Sequence, residues 1–175
     1  MFLKPEKNIA LLGLKEGMSV ADFGSGTGFY SIASARKVGP TGHVYAVEVQ
    51  KDFLKKLESE IKELHLSNID CIWGDVERVN GTKLKKECVD AVIISNILFQ
   101  VEDKLGLIDE ARRILKKDGK VLLVDLAQPL GGEDKSSHYI VSSDEAINLF
   151  QKRGFKVLEK ISTLPNHYGI IFKYE

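Results

Sequence analysis

The sequence predicts an α/β fold, a doubly wound and mostly parallel sheet, on two observations. Apolar runs rich in β-branched residues alternate with helix-type patterns along all 175 residues, which is typical of parallel strands joined by helical crossovers. The first apolar run ends in a glycine-rich stretch at 24–28, as in the strand-to-helix turn of such sheets. A chain of this length is expected to form one domain, so residues 1–175 are predicted to be a single domain.

Seven apolar runs are the predicted strands. The fourth run is almost continuously apolar, as expected for a strand that is covered on both faces. Little more than residues 163–167 separates the last two runs, which is too short for a parallel crossover, so this pair is predicted to be antiparallel. In chain order the predicted strands are 18–23, 43–49, 69–73, 89–95, 120–126, 155–161 and 168–174.

Four helices are predicted between these strands. Ser142 is followed three residues later by Glu145, a capping box that predicts the start of a helix. Glycines that follow basic residues predict helix ends at Gly119 and Gly154. The predicted helices cover 29–38, 51–65, a segment whose apolar stripe runs from 107 to 115, and a segment from 142 to the cap at 154.

Composition and charge exclude several classes of protein. Lys and Arg number 25, and so do Asp and Glu, so no net charge predicts a nucleic-acid partner or an anionic membrane surface. No apolar stretch approaches the roughly 20 residues of a membrane-spanning helix, and the first residues do not resemble a signal peptide. We therefore expect a cytoplasmic protein without membrane insertion. Cys71 and Cys88 are predicted to be buried, reduced thiols, and their spacing predicts no metal site.

The glycine-rich stretch reads Asp22-x-Gly24-x-Gly26-x-Gly28, which is not the G-x-G-x-x-G spacing of a dinucleotide site. Alternate glycines remove side chains from the end of the strand, so that a ligand can lie against the backbone. Asp22 would repel a pyrophosphate and favour a positively charged ligand, such as S-adenosylmethionine, which carries an ammonium and a sulfonium and no phosphate. The spacing argues against a nicotinamide-dependent oxidoreductase, although glycines here can also serve a tight turn alone.

Two further carboxylates follow the next two predicted strands. Glu48 ends the second strand, where an acidic residue can accept hydrogen bonds from the hydroxyls of a ribose. Asp75 lies just past the third strand and can accept from an adenine amine, while the backbone N–H of Val76 can meet a ring nitrogen. Each acid alone is equally consistent with a solvated strand end or a turn residue. The three acids in order, with the glycines, predict a nucleoside site.

The sequence resembles the class I S-adenosylmethionine-dependent methyltransferases over nearly its whole length. The segments that carry the resemblance are the glycine motif at 20–28, the ribose-side acid at 44–48, the adenine-side acid at 74–76 and the fourth-strand motif at 90–96. Residues 110–120 are similar to a segment of the branch that modifies quinones and other small molecules. The resemblance implies a seven-stranded sheet of order 3-2-1-4-5-7-6 with the last strand antiparallel.

The resemblance also implies a role for each matched residue. Asp22 and the glycine loop would hold the methionine end of S-adenosylmethionine, Glu48 the ribose and Asp75 the adenine. Ser95 and Asn96 would supply polar contacts to the methionine ammonium. The residues predicted to bind this cofactor are Asp22, Gly24, Ser25, Gly26, Gly28, Glu48, Asp75, Val76, Ser95 and Asn96.

The sequence identifies no catalytic residue. Methyl transfer from a sulfonium requires alignment and exclusion of water above all, and a base is needed only if the acceptor must lose a proton. The residues after Ser95-Asn96 lack the Pro-Pro-aromatic motif of amino-methylating nucleic-acid enzymes. Asp125, His138 and Tyr139 can face an acceptor or serve as a cap or solvated loop residues. Aromatic residues that can line an acceptor pocket or belong to the core are Phe2, Tyr30 and Phe99.

The predicted function is methyl transfer to a small-molecule acceptor. The predicted core uses nearly all residues, so the acceptor site is expected from the first dozen residues, the corner at 96–100 and the loop at 127–141, or from a second subunit of a homo-oligomer. Such a shallow site favours a small or partly apolar acceptor. The alternative is a non-catalytic S-adenosylmethionine-binding scaffold or regulatory subunit, because no acceptor motif is visible.

Overall fold

The computed structural model describes residues 5–128 and 140–175. The predictions for Phe2, His138 and Tyr139 lie outside the described residues. In chain order the helices and strands are α1 Pro5–Leu12, β1 Ser19–Phe23, α2 Phe29–Val38, β2 His43–Glu48, α3 Lys51–Glu63, β3 Ile69–Trp73, β4 Val89–Ser95, α4 Lys104–Ile114, β5 Leu115–Leu126, α5 Ser143–Gln151, β6 Phe155–Ile161 and β7 His167–Tyr174.

The strands form one seven-stranded sheet in the order β3-β2-β1-β4-β5-β7-β6, which confirms the predicted order. Strand β1 lies between β2 and β4 and is parallel to both. Strand β7 is antiparallel to β5 and to β6, as the short connection before it predicted. Because β1 to β4 are all parallel, their carboxyl ends meet at one edge of the sheet.

The core lies on both faces of the sheet. One cluster packs α4 and α5 against the sheet around Leu107, Ala111 and Phe150. The other packs α1 and α2 against the opposite face, and Leu57 of α3 joins it. The central strands β1 and β4 are therefore covered on both sides, which explains why their sequences are nearly continuous apolar runs. No helix in the described part of the chain is long and apolar enough to cross a membrane.

The predicted helix cap at Gly119 is wrong. Helix α4 already ends at Ile114, and Leu115 has an extended backbone that begins β5. Leu115 pairs with Val89 of β4 before an irregularity in the register, so strand pairing overrides the local cap signal. A Cβ on Gly119 would meet the carbonyl oxygen of Lys116 at 2.8 Å, so this glycine permits a close approach of the backbone within the strand.

The other cap signals are confirmed, and one helix is new. Ser142 Oγ accepts a hydrogen bond from the backbone N–H of Glu145 at 3.2 Å, and Gly154 ends the following turn with a φ of 85°. Helix α1 carries no strong cap or periodic signal and was not predicted, but it buries four residues against α2 and the sheet.

Both cysteines are free thiols, but they are half-buried rather than buried. Cys71 belongs to β3, which is an edge strand with a neighbour on one side only. Cys88 lies just before β4 begins. Their positions at the margin of the sheet, rather than within it, account for the incomplete burial.

Candidate functional site

A cavity of about 560 Å³ opens at the carboxyl ends of β1 to β4, the edge at which parallel sheets bind ligands. It brings together nine of the ten residues that the sequence predicts for the cofactor. Those nine residues are Asp22, Gly24, Ser25, Gly26, Glu48, Asp75, Val76, Ser95 and Asn96.

The glycines of the loop differ in what requires them. Gly26 has a φ of 53°, and a Cβ built on it would meet nothing within 4 Å, so its side faces open space where it lines the cavity. Gly28 has a φ of 91°, and a Cβ there would overlap Leu57 Cδ1 of α3. Gly28 is not among the residues that line the cavity. The structure places it at the N-cap of α2, where the lack of a side chain leaves room for Leu57 of α3.

The Asp22 carboxyl lies at the floor of the cavity and is only 2% exposed. Its Oδ2 atom accepts a hydrogen bond from Ser31 Oγ at 2.6 Å. The pKa of Asp22 is raised to about 7, chiefly by burial and to a smaller extent by the charge of Glu48, against the lowering effect of the hydrogen bonds from Ser31. The carboxyl therefore exchanges a proton near neutral pH, and a cation in the cavity would favour its ionised form.

The Glu48 carboxylate is held in one orientation by backbone N–H groups. Oε1 accepts from Val49 at 2.8 Å and from Gln50 at 2.9 Å, and Oε2 accepts from Gly26 at 3.0 Å. A carboxylate offers about four acceptor sites, so Oε2 keeps a lone pair for a donor in the cavity. Glu48 thus fixes the glycine loop to the end of β2 and remains able to bind a ligand hydroxyl.

Asp75 and Val76 line the cavity just past the end of β3, the strand that pairs with β2 beside Glu48. The Asp75 carboxylate accepts from the backbone N–H of Glu77 at 3.0 Å and from Arg78 Nε at 2.9 Å. The Arg78 side chain is highly exposed, so this ion pair contributes little stability. Asp75 therefore acts as a turn residue and also lines the cavity, while Val76 packs into the core beside it.

Two buried oxygens in the cavity wall have no hydrogen-bond partner among the described residues. They are Ser25 Oγ in the glycine loop and Asn96 Oδ1 at the end of β4. Asn96 has a left-handed backbone with a φ of 57°, which asparagine tolerates better than most residues. Buried polar atoms are rarely left unpaired, and among the described residues that line the cavity these two oxygens are the unpaired ones.

Asp125 does not line the cavity, but its hydrogen bonds hold the turn at 96–100, which contributes residues to the cavity wall. The carboxyl is buried and accepts from the backbone N–H of Leu98 at 2.8 Å and of Leu126 at 2.7 Å. Burial raises the pKa of Asp125 to about 6. This position supports its interpretation as a loop cap. Phe99 in the same corner is half-buried and is not among the described residues that line the cavity.

Sequence reasoning missed most of the apolar wall. Tyr30, a candidate for the acceptor pocket, lines the cavity. Its phenol accepts a hydrogen bond from Asn8 Nδ2 at 2.7 Å, and Asn8 belongs to α1, a helix that no pattern in the sequence predicts. Phe29 is 69% exposed although it lines the cavity, and its place directly after Gly28 was the available clue. Ile97 and Gln100 line the cavity and belong to the corner at 96–100, from which the acceptor site was expected. Thr27, Val47 and Gly74 lie within the predicted motif segments, and the lining residues outside every segment predicted for the site are Phe29, Val49, Gln50, Phe53, Glu77 and Val101.

Known proteins are similar to this chain in sequence and in fold. The family described as a methyltransferase domain matches residues 14–167. A demethylmenaquinone methyltransferase of Geobacillus sp. strain WCH70 is 30% identical over 124 residues, which cover 71% of this chain and 52% of that protein. An arsenite methyltransferase of Halobacterium salinarum is 27% identical over 119 residues, 68% of this chain and 30% of that protein. The chain thus spans about half or less of the length of these relatives.

A solved structure shares the architecture. A crystal structure of an S-adenosylmethionine-dependent methyltransferase from Aquifex aeolicus superposes with a TM-score of 0.88 at 23% identity, covering 99% of this chain and 90% of that one. The match to the domain family over most of the chain, together with the sheet order, identifies the protein at the level of its family. The chain belongs to the class I S-adenosylmethionine-dependent methyltransferases.

Proposed function

We propose that the protein transfers the methyl group of S-adenosylmethionine to a small-molecule acceptor by in-line displacement at the sulfonium methyl. The observation that carries this proposal is the cavity itself, which combines three acids with two partnerless buried oxygens. A cationic nucleoside with an amino-acid group matches that set of acceptors. When bound, S-adenosylmethionine supplies an electrophilic methyl group on a sulfonium, which departs as a neutral thioether.

We assign the cofactor contacts to the nine residues that line the cavity. Glu48 Oε2 has a free lone pair for a ribose hydroxyl. Asp75 and Val76 stand at the end of β3 for the adenine, and Asp22 places a carboxyl near the cationic end. The open side of Gly26 leaves room for the ligand against the backbone. Gly28 acts indirectly, by setting where α2 begins.

The rest of the cavity is suited to a small, partly apolar acceptor. Phe29, Ile97 and Val101 supply apolar surface, and Gln100 supplies a polar group that can orient an acceptor. None of these four can act as a general base at neutral pH. We therefore expect the residues here to act by alignment and by exclusion of water, on an acceptor that is already nucleophilic.

The two relatives point to different acceptors, and the cysteines distinguish between them. Arsenite binds thiols, since soft ligands such as thiolates prefer soft centres. Cys71 and Cys88 are the only cysteines in the sequence, and neither lines the cavity. The site therefore favours an organic acceptor over arsenite.

The test is formation of S-adenosylhomocysteine, measured by mass spectrometry, with a panel of small acceptors that includes reduced naphthoquinones and arsenite. We expect turnover with at least one organic acceptor and none with arsenite. Asp70, an exposed acid on β3 outside the cavity, provides the matched control: Asp70→Asn should keep the activity that Glu48→Gln loses. Tight binding of S-adenosylmethionine without turnover across the panel would instead support a regulatory binding subunit.

We further propose that residues 1–175 act as one methyltransferase domain. All described strands belong to a single sheet, and the helices pack on its two faces. Limited proteolysis followed by thermal unfolding tests this, with one cooperative transition expected.

A further inference from the structure

Helix α4 holds the segment between β3 and β4 through one buried carboxylate. This segment, residues 74–88, carries Asp75 into the cavity. The Glu110 side chain of α4 is fully buried, and its Oε2 atom accepts from the backbone N–H of Asn80 at 3.0 Å. Its Oε1 atom accepts from the backbone N–H of Thr82 at 3.2 Å and from the Thr82 hydroxyl at 2.6 Å. One side chain therefore ties α4 to two positions in the middle of the segment.

Arg113 completes this contact and pairs with the buried charge. Its Nε atom donates to Glu110 Oε2 at 2.7 Å, and one terminal nitrogen donates to Oε1 at 2.7 Å. The same terminal nitrogen donates to the carbonyl oxygen of Leu84 at 2.9 Å. Burial alone would raise the pKa of Glu110, but the hydrogen bonds from Arg113 and Thr82 outweigh it and hold the pKa below its usual value. Glu110 is therefore an anion at neutral pH, and both of its oxygens accept.

The residues that Glu110 holds pack directly against the part of the segment that lines the cavity. Gly81 lies between Asn80 and Thr82, and a Cβ built on Gly81 would overlap the carbonyl oxygen of Asp75. A Cβ on Gly74 would in turn overlap the carbonyl oxygen of Gly81. The two stretches of backbone thus lie on each other with no side chain between them, and Gly74 and Asp75 both line the cavity. A shift of residues 80–82 therefore also moves Asp75.

Glu110 stands where an apolar residue would be the default. A buried ion pair is weak evidence for stability, because taking two charges out of water offsets much of their attraction. An apolar side chain could not accept from the backbone of the segment, in which Asn80 has a left-handed φ of 61° that is unfavourable for residues with a side chain. Glu110 thus fixes a backbone conformation that the segment does not favour alone. The other buried residues of α4 are Leu107, Ile108, Ala111 and Ile114.

We propose that Glu110 is a positioning residue, which sets the place of the Asp75 carboxylate through the segment 74–88 and so sets the preference of the cavity for a base with an amino group. Glu110 does not itself line the cavity. The inference rests on the proposed function, which assigns Asp75 to the adenine. It adds that α4, on one face of the sheet, takes part in the selection of the base.

The test compares S-adenosylhomocysteine with its 6-deamino analogue, in which hydrogen replaces the amino group of the base. Dissociation constants are measured by calorimetry. We expect the parent protein to bind S-adenosylhomocysteine roughly tenfold more tightly than the analogue, the effect of one hydrogen bond to a charged group. In Glu110→Gln an N–H group replaces one of the two accepting oxygens, so the segment loses part of its anchor. The ratio of the two constants should fall to about twofold or less, mainly through weaker binding of S-adenosylhomocysteine.

Three further variants separate positioning from folding. Asp109→Asn removes an ion pair to Arg153 from the neighbouring position of α4 and should leave the ratio at the parental value. Thr82→Val removes the hydroxyl that donates to Glu110 but leaves the pair with Arg113, and should lower the ratio in smaller measure. In an Asp75→Ala background, Glu110→Gln should not change the ratio, because Glu110 acts on the base only through Asp75.

Three results would overturn the inference. Equal affinity of the parent protein for both compounds would leave no preference for Glu110 to set. A parental ratio in Glu110→Gln, with equal losses for both compounds, would show a purely structural role, and the same result in Thr82→Val decides this if Glu110→Gln does not fold. A change of the ratio in the Asp75→Ala background would break the link to Asp75. A parent protein that binds neither compound would instead refute the proposed function, which this inference requires.

Discussion

Binding of a cation beside Asp22 should be coupled to release of a proton. In the unliganded protein burial raises the pKa of this carboxyl to about 7, so a substantial fraction is protonated and neutral at physiological pH. A ligand with a sulfonium and an ammonium favours the ionised form and lowers the pKa. Affinity for S-adenosylmethionine should therefore fall as the pH is lowered through 7.

The size of the effect follows from the pKa. Only the ionised carboxyl binds the cation well, so affinity tracks the ionised fraction as long as the pKa in the complex stays below the range of the measurement. With a pKa of about 7, half of the carboxyls are ionised at pH 7.0 and about one in thirty at pH 5.5. The dissociation constant should therefore rise by about sixteenfold between these two pH values.

Isothermal titration calorimetry provides the assay. Titrations at pH 7.0 in buffers with different ionisation enthalpies should show release of about half a proton per ligand bound. Asp22→Asn is the matched control, because an amide oxygen can still accept the bond from Ser31 Oγ. Its affinity should be almost independent of pH over the same range, which also corrects for titration of the ligand.

A second readout uses stability without ligand. The pKa of Asp22 in the folded protein is raised above its unfolded value of 3.8, so folding takes up a proton between these two values. The stability that this group contributes is fully present below pH 4 and declines as the pH rises to about 7, after which it is constant. Affinity that does not change with pH in the parent protein, or a pH dependence that Asp22→Asn retains, would refute this role for Asp22.

Three further substitutions test other parts of the site. Glu48→Gln should weaken binding of S-adenosylmethionine by about tenfold or more, roughly 1.5–3 kcal/mol for a charged hydrogen bond, and an unchanged dissociation constant would exclude Glu48 from the site. Gly26→Ala should weaken binding of S-adenosylmethionine and lower the free energy of unfolding by only about 1–2 kcal/mol, because its backbone is left-handed. Gly28→Ala should lower the melting temperature more than Gly26→Ala does, and the reverse ranking would contradict the assignment of Gly26 to the cavity and of Gly28 to packing. Asp125→Asn leaves the backbone N–H of Leu98 or of Leu126 without its acceptor. Chemical denaturation should show a loss of about 1–3 kcal/mol in the free energy of unfolding, and a loss below about 0.5 kcal/mol would contradict the role of Asp125 as a cap.

The parts of the fold that periodicity and short connections determine could be predicted from the sequence. Strands β3, β4 and β6 have the predicted bounds, because each is an apolar run ended by a polar or glycine residue. The cap at Gly119 failed because its signal is local, whereas the pairing of Leu115 with Val89 joins residues that lie far apart in the chain. The residues around Gly119 do not indicate which strand will pair with them, so a local pattern cannot predict that β5 begins directly after α4.

The cofactor side of the cavity was predictable for a related reason. Its acids and glycines stand at the ends of strands, and parallel strands end at a common edge, so sequence order alone places Asp22, Glu48 and Asp75 together. The same reasoning does not explain Gly28, which was predicted to bind the cofactor but does not line the cavity. The motif groups it with the other glycines, but the contact that requires a glycine there is with Leu57 on α3, and no pattern in the loop itself indicates that neighbour.

The acceptor side depends on packing between elements that are distant in sequence. Asn8 gives no signal as a functional residue, because a polar residue on a short helix reads as solvent-exposed; only the structure shows that it is buried and bonded to Tyr30. The pair joins α1 to a residue that lines the cavity. The carboxyl ends of the strands thus supply the charges of the site, whereas part of its lining depends on a contact between α1 and α2 that lies outside the glycine motif.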